Sequence, residues 1–173
     1  VKEVDIANKM LFEVVIVDHH EVLKTLPKAS IIVNPKQKGD KYLFKLFAAT
    51  GIALKLSQEL FLNKMPQSLQ NGFIELAALA TLADMMPLED ENKIIVEEGL
   101  TLLKNSFRPG LQAFFLHEEF KNYKNIKERV SKIISLLNVR DVKDGLPASY
   151  RLLTLSSLKD AKAMIDDLLK KNL

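Results

Sequence analysis

Val14-Val15-Ile16-Val17-Asp18-His19-His20 decides how the rest of the chain is read. Its four consecutive β-branched residues are too few and too branched for a helix, and they predict a strand buried on both faces of a parallel sheet. The apolar run then stops at one acid and two imidazoles. Ligands of an open α/β sheet sit at the carboxyl ends of its strands, which is where Asp18, His19 and His20 fall. Adjacent side chains on an extended backbone point to opposite sides. His19 and His20 are therefore expected to diverge, one into a site and the other toward a supporting group or a phosphate. The alternative is that two of the chain's three histidines simply follow a core strand, and the local pattern leaves both readings open.

Outward from that stretch, composition sets bounds. A chain of 173 residues, 47% apolar and 27% charged, suits one soluble globular domain with a real core. No apolar run approaches the roughly 20 residues of a membrane span, and Val1 to Asp5 is unlike a signal peptide; no membrane partner is expected. With no cysteine there is neither a disulfide framework nor a thiolate zinc site, which is compatible with a cytoplasmic location. A net charge of +3 permits a polyanionic partner without demanding one. Only Arg108, Arg129, Arg140 and Arg151 are arginines among the 25 basic residues. Lysine meets phosphate as a point charge and lacks the fork that reads guanine edges, so contact with nucleic acid should be mainly to backbone.

In chain order, Ile6 to Leu11 reads as a short helical stretch. Ser30 to Val33 reads as a second strand, stopped by Asn34-Pro35. Phe44 to Leu60 is apolar nearly all round and predicts a buried helix. Gly51 inside it marks a close backbone approach or a break near a ligand. Pro66 closes this segment, and Gly72 to Ala83 predicts a second apolar helix running into Asp84. That acid either faces water at a helix end or is held in a pocket. A carboxylate is poorly placed at the negative end of a helix dipole, and a bound cation relieves the conflict. Glu89 to Glu91 caps a helix through Leu103, and Pro109 opens another. His117, among acids, reads as surface. Ile126 to Leu137 is amphipathic, Asn138 to Pro147 irregular, and Leu158 to Leu169 a closing helix.

Four blocks in this order resemble the RecJ branch of the DHH phosphoesterase superfamily. They are Val-Ile-Val-Asp18-His19-His20-Glu21, Ala29 to Pro35, Tyr42 to Leu56, and Ala80-Thr-Leu-Ala-Asp84-Met-Met-Pro87-Leu88 with Glu91-Asn92. Order and spacing agree from Ala7 to Gly110. The resemblance implies an α/β fold: part of a DHH-type domain, a parallel sheet portion followed by a mostly helical segment. It divides the chain into residues 1–110, a partial DHH domain lacking its first strands, and 111–173, a helical continuation. It implies a metal-dependent 5′→3′ exonuclease on single-stranded DNA, acting in recombination and repair with Mn²⁺ or Mg²⁺ and possible recombination or replication proteins as partners. By position, His19 and Asp84 would be metal ligands. Asp18 and His20 would complete the catalytic site by orienting ligands or touching the scissile phosphate. Thr50, Gly51, Asn138 and Arg140 would border the bound strand.

Two departures shape the expectation. The family's acidic motifs upstream of the DHH have no counterpart in residues 1–17, whose acids before Glu13 are Glu3 and Asp5. The chain is therefore expected to be part of a longer protein and inactive alone, with a sheet edge and apolar surface left open. Where the family carries a "PRINAxGR" block, Ser135 to Asp141 matches only the asparagine, Asn138, with Arg140 a loose substitute for the last arginine. The alternatives are a degenerate DHH relative that binds DNA or scaffolds, favoured by that altered block, and a phosphoesterase of short oligonucleotides or nucleotides.

Overall fold

A computed structural model of the chain describes residues 1–62 and 64–171. Helix α1 (Lys2–Lys9) precedes strands β1 (Val15–Val17) and β2 (Ile31–Val33). Then come α2 (Ala49–Leu60), α3 (Gln67–Ala83), α4 (Asp90–Leu103), α5 (Pro109–Leu116), α6 (Glu118–Lys121) and α7 (Ile126–Leu137). A hairpin, β3 (Val142–Lys143) and β4 (Leu146–Pro147), leads to α8 (Ala148–Thr154) and α9 (Leu158–Lys171). The fold is α/β, with a parallel pair at one end and helices making up the rest. Among the described residues no helix is long and apolar enough to cross a membrane.

β1 and β2 pair in parallel with Val15 opposite Ile31, Ile16 opposite Ile32 and Val17 opposite Val33. The strand is not buried on both faces, as the branched run alone suggests. Val15 and Ile31 are each more than half exposed, at 54% and 55%, whereas Val17 and Val33 pack against the core. With two strands in the sheet, the carboxyl ends pack against the helical core, and those ends carry the site. Leu11 and Phe12, on the approach to β1, are also exposed.

The helix expected from Phe44 begins only at Ala49. Phe44 and Phe47 are buried from a non-helical segment, packed edge to face with ring centroids 4.8 Å apart. Competing hydrogen bonds hold that segment out of the helix. The Asn92 amide donates to the Leu46 carbonyl at 2.6 Å, and the Lys45 ammonium to the Asp40 carbonyl and carboxylate at 3.1 and 2.8 Å. All-round apolarity came here from burial rather than from a helical period.

Helix α3 starts at Gln67, with Pro66 as its N-cap, so Pro66 opens this helix as well as ending the preceding segment. Gly72 lies within it, beneath Phe107, where an added Cβ would meet the ring at 2.9 Å. α3 and α4 form the centre of the core, and they cross where Gly99 faces Ala78. The segment read as irregular contains the β3–β4 hairpin, with Val142 opposite Pro147 and Lys143 opposite Leu146. Its turn residues Asp144 and Gly145 have φ of +53° and +76°, the Asp-Gly turn that matches strand twist.

Candidate metal centre

The Asp18 backbone N–H donates to the Val33 carbonyl at 3.0 Å and so extends the parallel ladder by one residue. Beyond it, a single carboxylate oxygen redirects the chain. Asp18 Oδ1 accepts from the His19 N–H at 2.8 Å, the His20 N–H at 3.3 Å and the His20 ring Nδ1 at 2.7 Å. Short polar side chains that bond the backbone just ahead of them impose a turn. The two imidazoles consequently do not diverge as extended geometry requires; their centroids are 4.4 Å apart. Asp18, His19 and His20 each offer a ligand atom within 4.8 Å of the others. Partial burial pushes the Asp18 carboxyl up, but the His20 ring and the two backbone N–H groups outweigh it and hold Asp18 below the usual carboxylate range.

Asp84 arrives from the other side of the site. It is the C-cap of α3 and closes a Schellman turn, with the Met86 N–H on the Thr81 carbonyl at 3.1 Å and the Met85 N–H on the Leu82 carbonyl at 3.2 Å. Met85 occupies the left-handed position of that turn at φ +52°, where glycine is usual. The Asp84 Oδ2 atom lies 3.1 Å from His19 Nε2. His19 is largely buried and Asp84 about half exposed, so the pair sits at the lip of the fold, open to a charged ligand. A carboxylate at a helix C-terminus, 3.1 Å from an imidazole nitrogen, is a pair of donors that suits a divalent cation.

Asp18, His19 and His20 therefore cluster, and Asp84 meets that cluster at His19. Thr50 and Asn138 also meet, across a groove of about 310 Å³ that Ala80, Ala83, Leu137 and Leu153 line as well. Ala80 and Ala83 belong to the turn of α3 that ends at Asp84. Gly51 is buried away from that groove; its close approach is to Phe47, whose ring atom Cδ1 an added Cβ would meet at 3.0 Å. Arg140 is exposed and has no ion pair among the described residues.

Two asparagines carry more than the sequence suggested. Asn34, read as a strand stop within a family-like block, is buried; it donates to the His20 carbonyl at 2.9 Å and accepts from the Lys36 N–H at 2.9 Å, pinning the histidine loop to β2. Asn92 ties the Leu46 and Pro87 carbonyls. Both stand in blocks that resemble the family, but nothing in the sequence named their hydrogen-bond partners. His117, read as surface, is partly buried. Its Nδ1 caps α6 by accepting the Glu119 N–H at 3.1 Å, and its Nε2 meets Asp166 at 3.0 Å, a structural role away from the site. Beside the site, the Tyr42 hydroxyl donates to Glu91 at 3.1 Å, and Lys55 pairs with the same carboxylate. Burial, with Glu91 adding to it, pushes the Tyr42 phenol up to about 12.

Residues 1–81 match the DHH family, N-terminal domain. The chain is 42% identical over 112 residues to the single-stranded-DNA-specific exonuclease RecJ of Bacillus subtilis (strain 168), covering 65% of this chain and 14% of that protein. It is 26% identical over 181 residues to RecJ of Dickeya dadantii (strain 3937), covering 95% of this chain and 31% of that protein. The chain thus spans less than a third of the length of these curated relatives. Its fold is similar to a crystal structure of exonuclease RecJ bound to manganese, with a TM-score of 0.75 at 25% identity over 97% of this chain and 43% of that one. RecJ from Thermus thermophilus in complex with Mn²⁺ gives 0.76 at 26% identity, over 96% of this chain and 25% of that one. Over the strands that carry Asp18, His19 and His20 the chain is similar to the N-terminal domain of the DHH family, and along nearly its whole length it is similar to RecJ.

Proposed function

We propose that this chain supplies part of the catalytic core of a metal-dependent 5′→3′ exonuclease acting on single-stranded DNA. The observation that carries the reading is the convergence of His19 and Asp84, 3.1 Å apart, from a strand end and a helix end. His19 and Asp84 hold the metal, Mn²⁺ or Mg²⁺. Asp18, its carboxylate occupied by three N–H donors, orients the histidines rather than taking a proton. The His20 ring is exposed, and its Nε2 has no partner among the described residues, which leaves it available to a phosphate oxygen. When bound, the cation neutralises phosphate charge and lowers the pKa of an attacking water. Thr50 and Asn138 border the strand in their groove, with Gly51 shaping the start of α2 beneath and Arg140 reaching from outside.

The reading extends to residues 1–110 as part of the DHH domain and 111–173 as its helical continuation, to a cytoplasmic role in recombination and repair, and to partners among recombination or replication proteins. On this reading the 173-residue chain alone is inactive, because the family's upstream carboxylates are needed as well. The test is degradation of 5′-phosphorylated single-stranded DNA with Mn²⁺ by a longer protein that carries this stretch. His19→Ala or Asp84→Ala should reduce the rate beyond the roughly 10–100-fold that loss of an outer-shell partner costs. Full activity in both variants would remove the metal-ligand assignment. DNA binding without any cleavage by the parent protein would favour a degenerate binding module.

A further inference from the structure

We infer that Asn92 is a positioning residue for the Asp84 carboxylate, locking the turn after Asp84 to the segment that leads into α2; this rests on the metal-site reading above. Asn92 lies in the first turn of α4, fully buried, on the face that also buries Ile95, Val96 and Gly99. Its amide donates twice, to the Leu46 carbonyl at 2.6 Å and to the Pro87 carbonyl at 3.0 Å. Its Oδ1 is buried with no hydrogen-bond partner among the described residues. Packing alone does not select such a side chain. A leucine has the same branched four-atom skeleton and no polar atom of its own to bury, and buried polar atoms in native proteins are rarely unpaired. It would, however, leave the Leu46 and Pro87 carbonyls without the amide donor. The two donated bonds are what the amide adds.

Those bonds fall where the site needs them. Pro87 is three residues beyond Asp84, and the intervening Met85 stands at φ +52° in a turn held from the other side by the Thr81 carbonyl. Asp84 is thus suspended between two anchors, the last turn of α3 and the Asn92 amide. The second carbonyl, Leu46, belongs to the non-helical segment that enters α2, the helix carrying Thr50 at the groove. One side chain therefore fixes the carboxylate arm and the groove wall relative to each other. Outer groups that orient a ligand commonly change metal affinity about 10–100-fold when removed.

The test measures the Mn²⁺ dissociation constant of the full chain by calorimetry, alongside its thermal unfolding. Asn92→Leu and Asn92→Ala should each weaken Mn²⁺ about 10–100-fold; the alanine serves if the leucine is not accommodated. Ile165→Val, in α9 where it packs on α5, controls for lost stability and should leave affinity unchanged. Asp84→Asn calibrates the site. Wild-type affinity in both Asn92 variants, with Asp84→Asn weakened, overturns the positioning role and leaves the metal site standing. Equal weakening by Ile165→Val also overturns it. Undiminished binding in Asp84→Asn removes the metal-site reading, and this inference with it.

Discussion

One carboxylate oxygen accounts for the shape of the site. Three N–H groups converge on Asp18 Oδ1, and the backbone turns far enough to bring two imidazoles side by side at the end of a strand. Opposite, Met85 holds a left-handed backbone conformation. That residue is 89% exposed at φ +52°, so Met85→Gly removes the Cβ conflict without losing packing. It should stabilise the chain by up to about 1 kcal/mol, partly offset by glycine's unfolded-state entropy; a clear fall in the thermal midpoint would contradict this. A second residue-scale prediction concerns pH. Burial pushes the Glu75 carboxyl up from 4.5, only partly countered by the Ser106 hydroxyl, which donates to it at 2.7 Å, and by the Arg108 charge. A raised folded value means the fold favours the protonated form. The contribution is present below 4.5 and is lost as pH rises through the folded value. Glu75→Gln keeps an acceptor for Ser106 and should flatten denaturant stability across that rise; an unchanged pH slope would sink the assignment. Asp18, His19, His20 and Asp84 were legible because a strand end and a helix end are fixed points of a pattern. Asn34 and Asn92 were not, since their partners lie 14 and 46 residues away and no periodicity encodes a side-chain bond.

At the level of elements, the site depends on how closely α3 and α4 approach. An added Cβ at Gly99 would come within 2.2 Å of the Ala78 Cβ and 3.1 Å of the Ile74 carbonyl. Gly99→Ala should therefore cost about 1–3 kcal/mol through forced separation of the two helices, read as a lower denaturant midpoint. An unchanged midpoint would mean the crossing is looser than described. Helix α7 could be read to its ends because its apolar residues recur at helical spacing and its N-cap is an asparagine whose side chain accepts the Lys127 N–H. The segment from Phe44 to Ala48 could not, because burial from an extended chain and burial around a helix leave the same composition. Asp144-Gly145 was a readable hairpin signal between short strands, obscured by the charged residues around it.

Across the whole molecule, charge and arginine usage constrain how DNA would be held. Arg108 lies over Phe107, Arg129 donates to the Lys121 and Tyr123 carbonyls, and Arg151 pairs with Asp141. Arg140 is left as the arginine without a partner among the described residues. Binding through lysine and phosphate should fall steeply with added salt and vary little with base sequence; a flat salt dependence in a titration of single-stranded DNA would contradict it. The fold class was legible from two branched runs followed by helical periods. The exposure of Val15 and Ile31 was not, because it depends on what lies beside the sheet. The most direct measurement is anomalous diffraction at the manganese edge from crystals of the chain grown with Mn²⁺. The expected result is a peak between His19 Nε2 and the Asp84 carboxylate that disappears in Asp84→Asn crystals. Contradiction would be wild-type crystals with no peak there and the two side chains still in their 3.1 Å contact.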